Sequence, residues 1–308
     1  MRNKLFTLIG GGGFLGRYVA QALLATGARV RVAQRDPRGA WYLKPLGALG
    51  QTQFVAADIT RPDTIERAIA GADGVVNLVG SFTGDLNRIH VAGPRALAQA
   101  ARNSGVEALV HVSAIGADAE AEADYARTKG AGEAAVREAF PAATILRPST
   151  VFGREDKFIN MFAGMVARFP VVPVLKPNTR FQPVFAADVG EAVANVLRDP
   201  ASFAGRTFEL GGPDVLTMLK LQQWIARQIG RNPSFIGLPD ALGGLLAAIP
   251  GPPISRDQWK LLQKDSVVTP GAEGLEALGI TPTPLAAVAP GWLVKYQRAG
   301  RFARPTAA

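Results

Sequence analysis

The sequence contains no cysteine and only two histidines, His90 and His111. A thiolate zinc site, an iron–sulfur cluster, a cysteine nucleophile and a histidine-rich metal cage are therefore excluded, and any redox chemistry falls to a dissociable organic cofactor. Disulfides are excluded too, although that alone fixes no compartment. Long apolar runs are also missing. The run after Met1-Arg2-Asn3-Lys4 lasts only from Leu5 to Ile9 and ends in four glycines, unlike a signal peptide. The most apolar later stretch, 241–249, falls far short of the roughly 20 residues of a spanning helix. A cytoplasmic chain without a transmembrane segment is expected. Runs of Lys/Arg and basic residues interleaved with aromatics are absent, so nucleic acid is not an expected partner.

What is present is a globular chain of 308 residues, 48% hydrophobic, with 34 Gly and 22 Pro spread along it. Lys and Arg number 34 against 25 Asp and Glu, a formal charge of +9. That excess favours anionic partners: a phosphorylated cofactor, an acidic subunit or a lipid surface. Peripheral contact at the inner face of the plasma membrane is the matching expectation.

Short β-branched runs alternate with Ala-rich helical segments through the first half, the pattern of parallel βαβ units. Strands are predicted at 5–9, 29–33, 52–56, 74–78, 108–112 and 143–146, and helices at 13–26, 62–70, 88–103 and 123–139. Right-handed crossovers turn this series into an α/β doubly wound parallel sheet, the NAD(P)-binding Rossmann arrangement. After Arg147-Pro148 the pattern loosens, with irregular stretches at 169–179 and 238–253. The expected division is a Rossmann domain over 1–150, with returning strands near 181–212, and a smaller substrate or partner domain over 151–180 and 213–308. The two returning strands are predicted at 181–185 and 207–210, with Asp188 and Thr217 as helix N-caps.

The strongest chemical signal is Gly10-Gly11-Gly12-Gly13-Phe14-Leu15-Gly16, between a predicted strand and a predicted helix. Gly10, Gly13 and Gly16 space as GxxGxxG. Such a loop needs glycine for a tight turn, close backbone approach to a pyrophosphate, and helix-on-strand packing. The end of the second strand, Gln34-Arg35-Asp36-Pro37-Arg38, puts Gln34 where an NAD-binding chain carries an acid. Arg35 and Arg38 can clamp a 2′-phosphate there, which favours NADP(H). Alternatively, both arginines are solvated and Asp36 is the ribose acid.

These residues resemble the extended and atypical short-chain dehydrogenase/reductase superfamily. The resemblance implies that Asp58 contacts the adenine, and that Asn77-Leu78-Val79-Gly80 passes along the adenine ribose and pyrophosphate. A helix-capping role for Asp58 is the plainer alternative. Tyr125-Ala126-Arg127-Thr128-Lys129 matches the superfamily's YxxxK, two residues on one helix face. A phenol works near neutrality only if a neighbouring ammonium lowers its pKa, which Lys129 could do while holding the nicotinamide ribose. Ser113 could polarise a carbonyl. A tyrosine and lysine on an exposed helix would be the bland reading. His90 stands where many extended members carry an asparagine, and Ser113-Ala114-Ile115-Gly116 lacks their second serine, so the catalytic set is incomplete.

A narrower resemblance follows. Arg147-Pro148-Ser149 is similar to the superfamily segment along the nicotinamide. Phe152-Gly153-Arg154-Glu155-Asp156-Lys157-Phe158-Ile159-Asn160, Tyr42-Leu43-Lys44-Pro45-Leu46-Gly47, Val76 to Gly80 and Gln182-Pro183-Val184 resemble the NADPH-binding accessory subunit family of respiratory complex I and its bacterial homologues. Residues 154–157 could equally be a charge cluster that starts a helix. The resemblance implies an NADP(H)-binding accessory or assembly subunit with weak or no turnover and with complex I subunits as partners; Trp224, Trp259 and Trp292 would suit docking, or a core. The other class is a soluble NADP-dependent reductase of a carbonyl or quinone-pathway substrate, with Tyr125 as proton donor.

Overall fold

The computed structural model describes residues 1–241, 243–244 and 254–298. The chain forms two compact units. The first takes Met1–Ser149, Ala186–Gly211 and Val268–Pro282; the second takes Thr150–Phe185, Gly212–Val267 and Thr283–Ala308.

The first unit is built on a seven-stranded parallel sheet. Its strands are β1 (Leu5–Ile9), β2 (Arg29–Gln34), β3 (Thr52–Ala56), β4 (Gly74–Asn77), β5 (Ala108–Val112), β6 (Thr144–Pro148) and β11 (Thr207–Leu210). They lie in the order β11-β6-β5-β4-β1-β2-β3. β1, β4 and β5 are buried along their whole length, as a sheet covered on both faces requires. The crossovers are α1 (Phe14–Ala25), α2 (Pro62–Ile69), α3 (Gly93–Asn103), α4 (Asp124–Ala139) and α6 (Ala186–Arg198). Ile9, Val75 and Leu109 from the strands pack with Ile65, Leu97 and Val136 from the helices in one hydrophobic core. The doubly wound fold is thus as expected, and most elements begin and end within two residues of the predicted bounds.

Three departures have local causes. The expected helix over 88–103 opens with a wide turn at Arg88–Ala92, where the Gly93 N–H reaches back five residues to the Arg88 carbonyl. Pro94 has no N–H to offer the His90 carbonyl, and the extra residue in the turn absorbs that loss. Residues 181–185 do not rejoin the main sheet. Gln182-Pro183 interrupts them into β9 (Arg180–Phe181), paired antiparallel with β12 (Leu216–Thr217), and β10 (Val184–Phe185), paired with β7 (Val151–Phe152). Of the two predicted returning strands, only 207–210 pairs with β6. Finally, α6 starts at Ala186, so Asp188 sits inside the first helical turn, where its charge complements the helix dipole, and is not the N-cap. A short helix, α7 (Pro200–Phe203), follows α6, and Thr217 does cap α8 (Met218–Gln228), its hydroxyl accepting the Lys220 N–H.

The second unit has its own core, in which Phe152, Phe162 and Val172 pack with Leu221, Ile225 and Leu293. It pairs α5 (Phe158–Arg168) with α8, and the strand β8 (Val171–Val174) in parallel with β13 (Ser234–Gly237). Trp292 is buried in this core and Trp224 packs half-buried against it, the core alternative for both; Trp259 receives the Lys176 ammonium over its ring. The apolar run 241–249 lies outside the described residues except for Ala241, Gly243 and Gly244. Among the described residues no helix is long and apolar enough to cross a membrane.

Candidate functional site

All the candidate residues belong to the first unit. They fall within or just beyond β1, β2, β3, β4, β5 and β6, or on α1 and α4. Beyond the carboxyl ends of its strands, a doubly wound sheet leaves a crevice for ligands.

Gly10 leaves β1 with a φ of +79°, a conformation that favours glycine, and its N–H donates to the Ala33 carbonyl at 2.8 Å. A Cβ on Gly11 would stand 2.7 Å from the Leu8 Cβ, and one on Gly16 would run into the Gly11 carbonyl. Packing therefore explains these glycines. Gly13 differs: a Cβ there would meet only the Gly10 oxygen at 3.4 Å. Gly13 is also the N-cap of α1 and has no side chain to cap the helix, whose first-turn N–H groups are left for an acceptor. A free approach at Gly13 and an uncapped helix terminus suit a phosphate, which needs both backbone proximity and hydrogen-bond donors. Phe14 and Leu15 open that helix, Phe14 edge-on to Tyr18.

At the end of β2, the Gln34 side chain lies where a Cβ on Gly12 would be, and its Nε2 donates to the Asp36 carbonyl at 2.5 Å. The Asp36 carboxylate accepts the Arg38 N–H at 3.0 Å and caps the helical stretch Pro37–Leu46. Arg35 and Arg38 are exposed. Tyr42, in sequence only one residue of a family motif, donates its hydroxyl to the Gly12 carbonyl at 3.1 Å, with the Arg17 guanidinium 4.5 Å from its ring centre. That stretch thus ties itself to the glycine loop, a tertiary link invisible in local spacing.

Asp58 is not the cap of α2, whose N-cap is Arg61. Its Oδ1 accepts the Thr60 N–H at 2.9 Å and the Thr60 hydroxyl at 2.8 Å. The Thr60 N–H in the first place, then the hydroxyl, Arg35 and Arg61, hold the carboxyl below its usual range against partial burial. Asn77 is buried, and its Oδ1 accepts the Val79 N–H at 3.1 Å, which shapes the turn beside Gly10. That bond orients the amide, so Asn77 Nδ2 donates to His111 Nδ1 at 3.0 Å. The His111 proton then sits on Nε2, which is buried without a partner among the described residues, and burial drives the ring's pKa well below its ordinary value.

Tyr125 and Lys129 share one face of α4. Glycines let this helix approach closely: a Cβ on Gly132 would run into the His90 carbonyl, and one on Gly130 would crowd the backbone at Asp118 and Ala119. Lys129 Nζ donates to the Val112 carbonyl at 2.7 Å, and burial lowers the ammonium to about 8. Tyr125 stacks on Phe82 and meets His90 edge-on at 5.4 Å. Burial pushes the phenol up to about 12. This corrects the expected direction: desolvation of the phenolate raises its pKa, and the Lys129 charge does not reverse that shift. The Ser113 hydroxyl is buried and has no hydrogen-bond partner among the described residues, so it is joined to neither Tyr125 nor Lys129. Pro148 is buried at the end of β6, its carbonyl accepting the Ile115 N–H at 3.0 Å.

His90 is a strut. Its Nε2 accepts the Ser81 N–H at 3.1 Å, so the proton lies on Nδ1 and is given to Thr128 Oγ1 at 2.8 Å, while the Thr128 hydroxyl donates to the Asp124 carbonyl. Burial and the Lys129 charge lower the imidazole to about 4, which keeps this tautomer neutral. Among the described residues no group of three or more acidic or histidine side chains could hold a metal ion.

The profile of the NAD dependent epimerase/dehydratase family matches residues 6–211. The chain is 36% identical over 293 residues to the mitochondrial NADH dehydrogenase (ubiquinone) 1 alpha subcomplex subunit 9 of Mus musculus, covering 91% of this chain and 77% of the relative. It is 31% identical over 246 residues to the ceramide reductase of Caulobacter vibrioides, covering 78% and 75%. Among solved structures, the triphenylmethane reductase of Citrobacter sp. superposes with a TM-score of 0.77 at 19% identity, over 94% of this chain and 99% of that one, a likeness of fold.

Proposed function

Since the chain belongs to the NAD dependent epimerase/dehydratase family, and within it to the family of the NADH dehydrogenase (ubiquinone) alpha subcomplex subunit 9, we propose that it is an NADP(H)-binding accessory or assembly subunit of a respiratory complex I, with weak or no turnover. In this reading Gly10, Gly13, Phe14, Leu15 and Gly16 carry the pyrophosphate, Arg35 and Arg38 the 2′-phosphate, and Asp58 the adenine. Asn77 and Val79 line the adenine ribose, while Lys129 and Pro148 flank the nicotinamide end. The cofactor, when bound, would supply hydride chemistry, but its main effect here is to stabilise the native fold by mass action. Residues 1–150 would be the cofactor domain and the later segments the partner domain, placed peripherally on the cytoplasmic side of the membrane that holds the complex.

The observation that carries this reading is the contrast between an uncapped, glycine-built phosphate cradle and a buried Ser113 hydroxyl that, among the described residues, is joined to neither Tyr125 nor Lys129. A reductase reading keeps Tyr125, Lys129 and Ser113 as catalytic residues, and the likeness to the Caulobacter ceramide reductase favours it. Measuring NADPH occupancy, carbonyl and quinone turnover, and complex I assembly in parallel for Tyr125→Phe decides between them. Loss of a robust turnover with cofactor retained would overturn the subunit reading.

A further inference from the structure

The charge of this protein is divided unequally. The first unit carries nineteen Lys and Arg against nineteen Asp and Glu, whereas the second carries fifteen against six, so the whole +9 belongs to the second unit. That unit also exposes apolar side chains in a row. Phe169 leaves α5 in extended conformation, and alternation along the chain sends Phe169, Val171 and Pro173 to the open side of β8 while Val172 and Val174 are buried. Ile236 on β13 stands beside Pro173 in register. Phe169 is 56% exposed, Val171 47% and Ile236 52%, a contiguous strip of the kind that marks an interaction site.

Phe169 is at once the end of this strip and part of the wall of a groove of about 330 Å³, to which Met161, Met165, Arg168 and Tyr296 contribute. Among the described residues no acidic side chain lines the groove. Arg168 stands on its rim, and the Lys295 ammonium lies 4.9 Å from the Tyr296 ring centre. Neither cation forms an ion pair among the described residues, unlike Lys176 and Arg180 of the same unit.

We propose that the second unit docks on an anionic lipid surface through this strip and groove, with acyl chains against Phe169, Val171, Ile236 and the methionines, and lipid phosphates against Arg168 and Lys295. An apolar stripe edged with unpaired cations is the chemistry of an interfacial element. Methionine walls accept disordered chains without a fixed shape match, as lipid tails require and a folded acidic protein does not. The proposal stands apart from the cofactor reading, because none of these residues belongs to the first unit.

The test is flotation of the full-length protein with vesicles of phosphatidylcholine alone or mixed with phosphatidylglycerol, in a salt series. The protein floats with the mixed vesicles at low salt and is released as salt rises. Phe169→Asp with Met161→Asp abolishes flotation, and Arg168→Glu with Lys295→Glu weakens it by at least about tenfold. NADPH binding and thermal melting stay unchanged in both double variants. Equal flotation of wild type and either double variant overturns the proposal, as does equal binding to neutral vesicles. If wild type fails to float, and the same substitutions remove its co-purification with respiratory subunits, the face is a protein interface and the lipid assignment is wrong; the subunit reading then survives.

Discussion

Phe82 lies on Tyr125 with ring centres 4.4 Å apart and only 20° between the planes. Phe82 itself is 49% exposed, so it covers the tyrosine as a flap on a short turn. Ser81 Oγ donates to the Thr83 carbonyl at 2.8 Å, and the Ser81 N–H is held by His90, which keeps that turn in place. Removing the cover hydrates the phenol. Phe82→Ala is expected to bring the Tyr125 pKa down from about 12 toward its ordinary value of about 10. Ultraviolet difference titration of Phe82→Ala against Phe82→Ala/Tyr125→Phe reads this directly, and an unmoved transition would mean that other packing sets the shift.

Tyr125→Phe keeps the ring stack and loses only the hydroxyl, so NADPH affinity and melting temperature should barely change. Lys129→Ala removes charge-assisted hydrogen bonding, and dinucleotide affinity should fall by about 1.5–3 kcal/mol, roughly 10- to 150-fold. Titration calorimetry on the two variants checks the order. The reverse order, with turnover falling about 100-fold or more in Tyr125→Phe, is the signature of an enzyme.

Arg35→Glu places a negative charge where a 2′-phosphate would lie. NADPH binding should weaken by more than tenfold while NADH is little affected, because charge repulsion acts only on the extra phosphate. Equal wild-type affinity for the two dinucleotides would remove the basis for this assignment. Gln34 should tolerate Ala, since among the described residues its amide bonds only to the backbone two residues on.

Acid should destabilise the protein through its histidines. His90 titrates near 4 in the folded chain against 6.5 unfolded, and His111 is shifted in the same direction. The unfolded state therefore binds protons first. Stability is fully present above pH 6.5 and is lost as the pH falls from there to about 4. In denaturant titrations across that window, His90→Gln should flatten the slope. At pH 8, His90→Ala should cost about 1–3 kcal/mol, because the Ser81 N–H loses its acceptor.

The fold was legible because its signals are local. Alternating β-branched and Ala-rich segments mark β1 to β6, and the four glycines mark the turn into α1. Pro94 and Pro183 carry the wide turn and the broken strand in plain sight, yet the consequence of each depends on a missing N–H that periodicity does not weigh. The candidate residues were likewise assignable by spacing, but not their electrostatics. Whether Lys129 or burial governs Tyr125 depends on Phe82, 43 positions away in the chain, and on a turn pinned by His90. Tyr42 illustrates the same limit: nothing near it announces that its hydroxyl holds the glycine loop.

The first unit also imposes an order on biosynthesis. Strand β11 is the edge of the sheet, and its outer side is occupied by a much later stretch: the Glu209 N–H donates to the Glu273 carbonyl at 2.9 Å, and Glu209 Oε2 accepts the Thr269 N–H at 2.8 Å. Asn195 on α6 reaches the Leu278 carbonyl at 3.0 Å. While the ribosome is still producing the intervening segment, that flank has no such partner, and an unpaired strand edge invites association with other chains. A stop codon anywhere before residue 268 leaves this seam open permanently, so shortened products should aggregate even when every glycine of the nucleotide loop is intact.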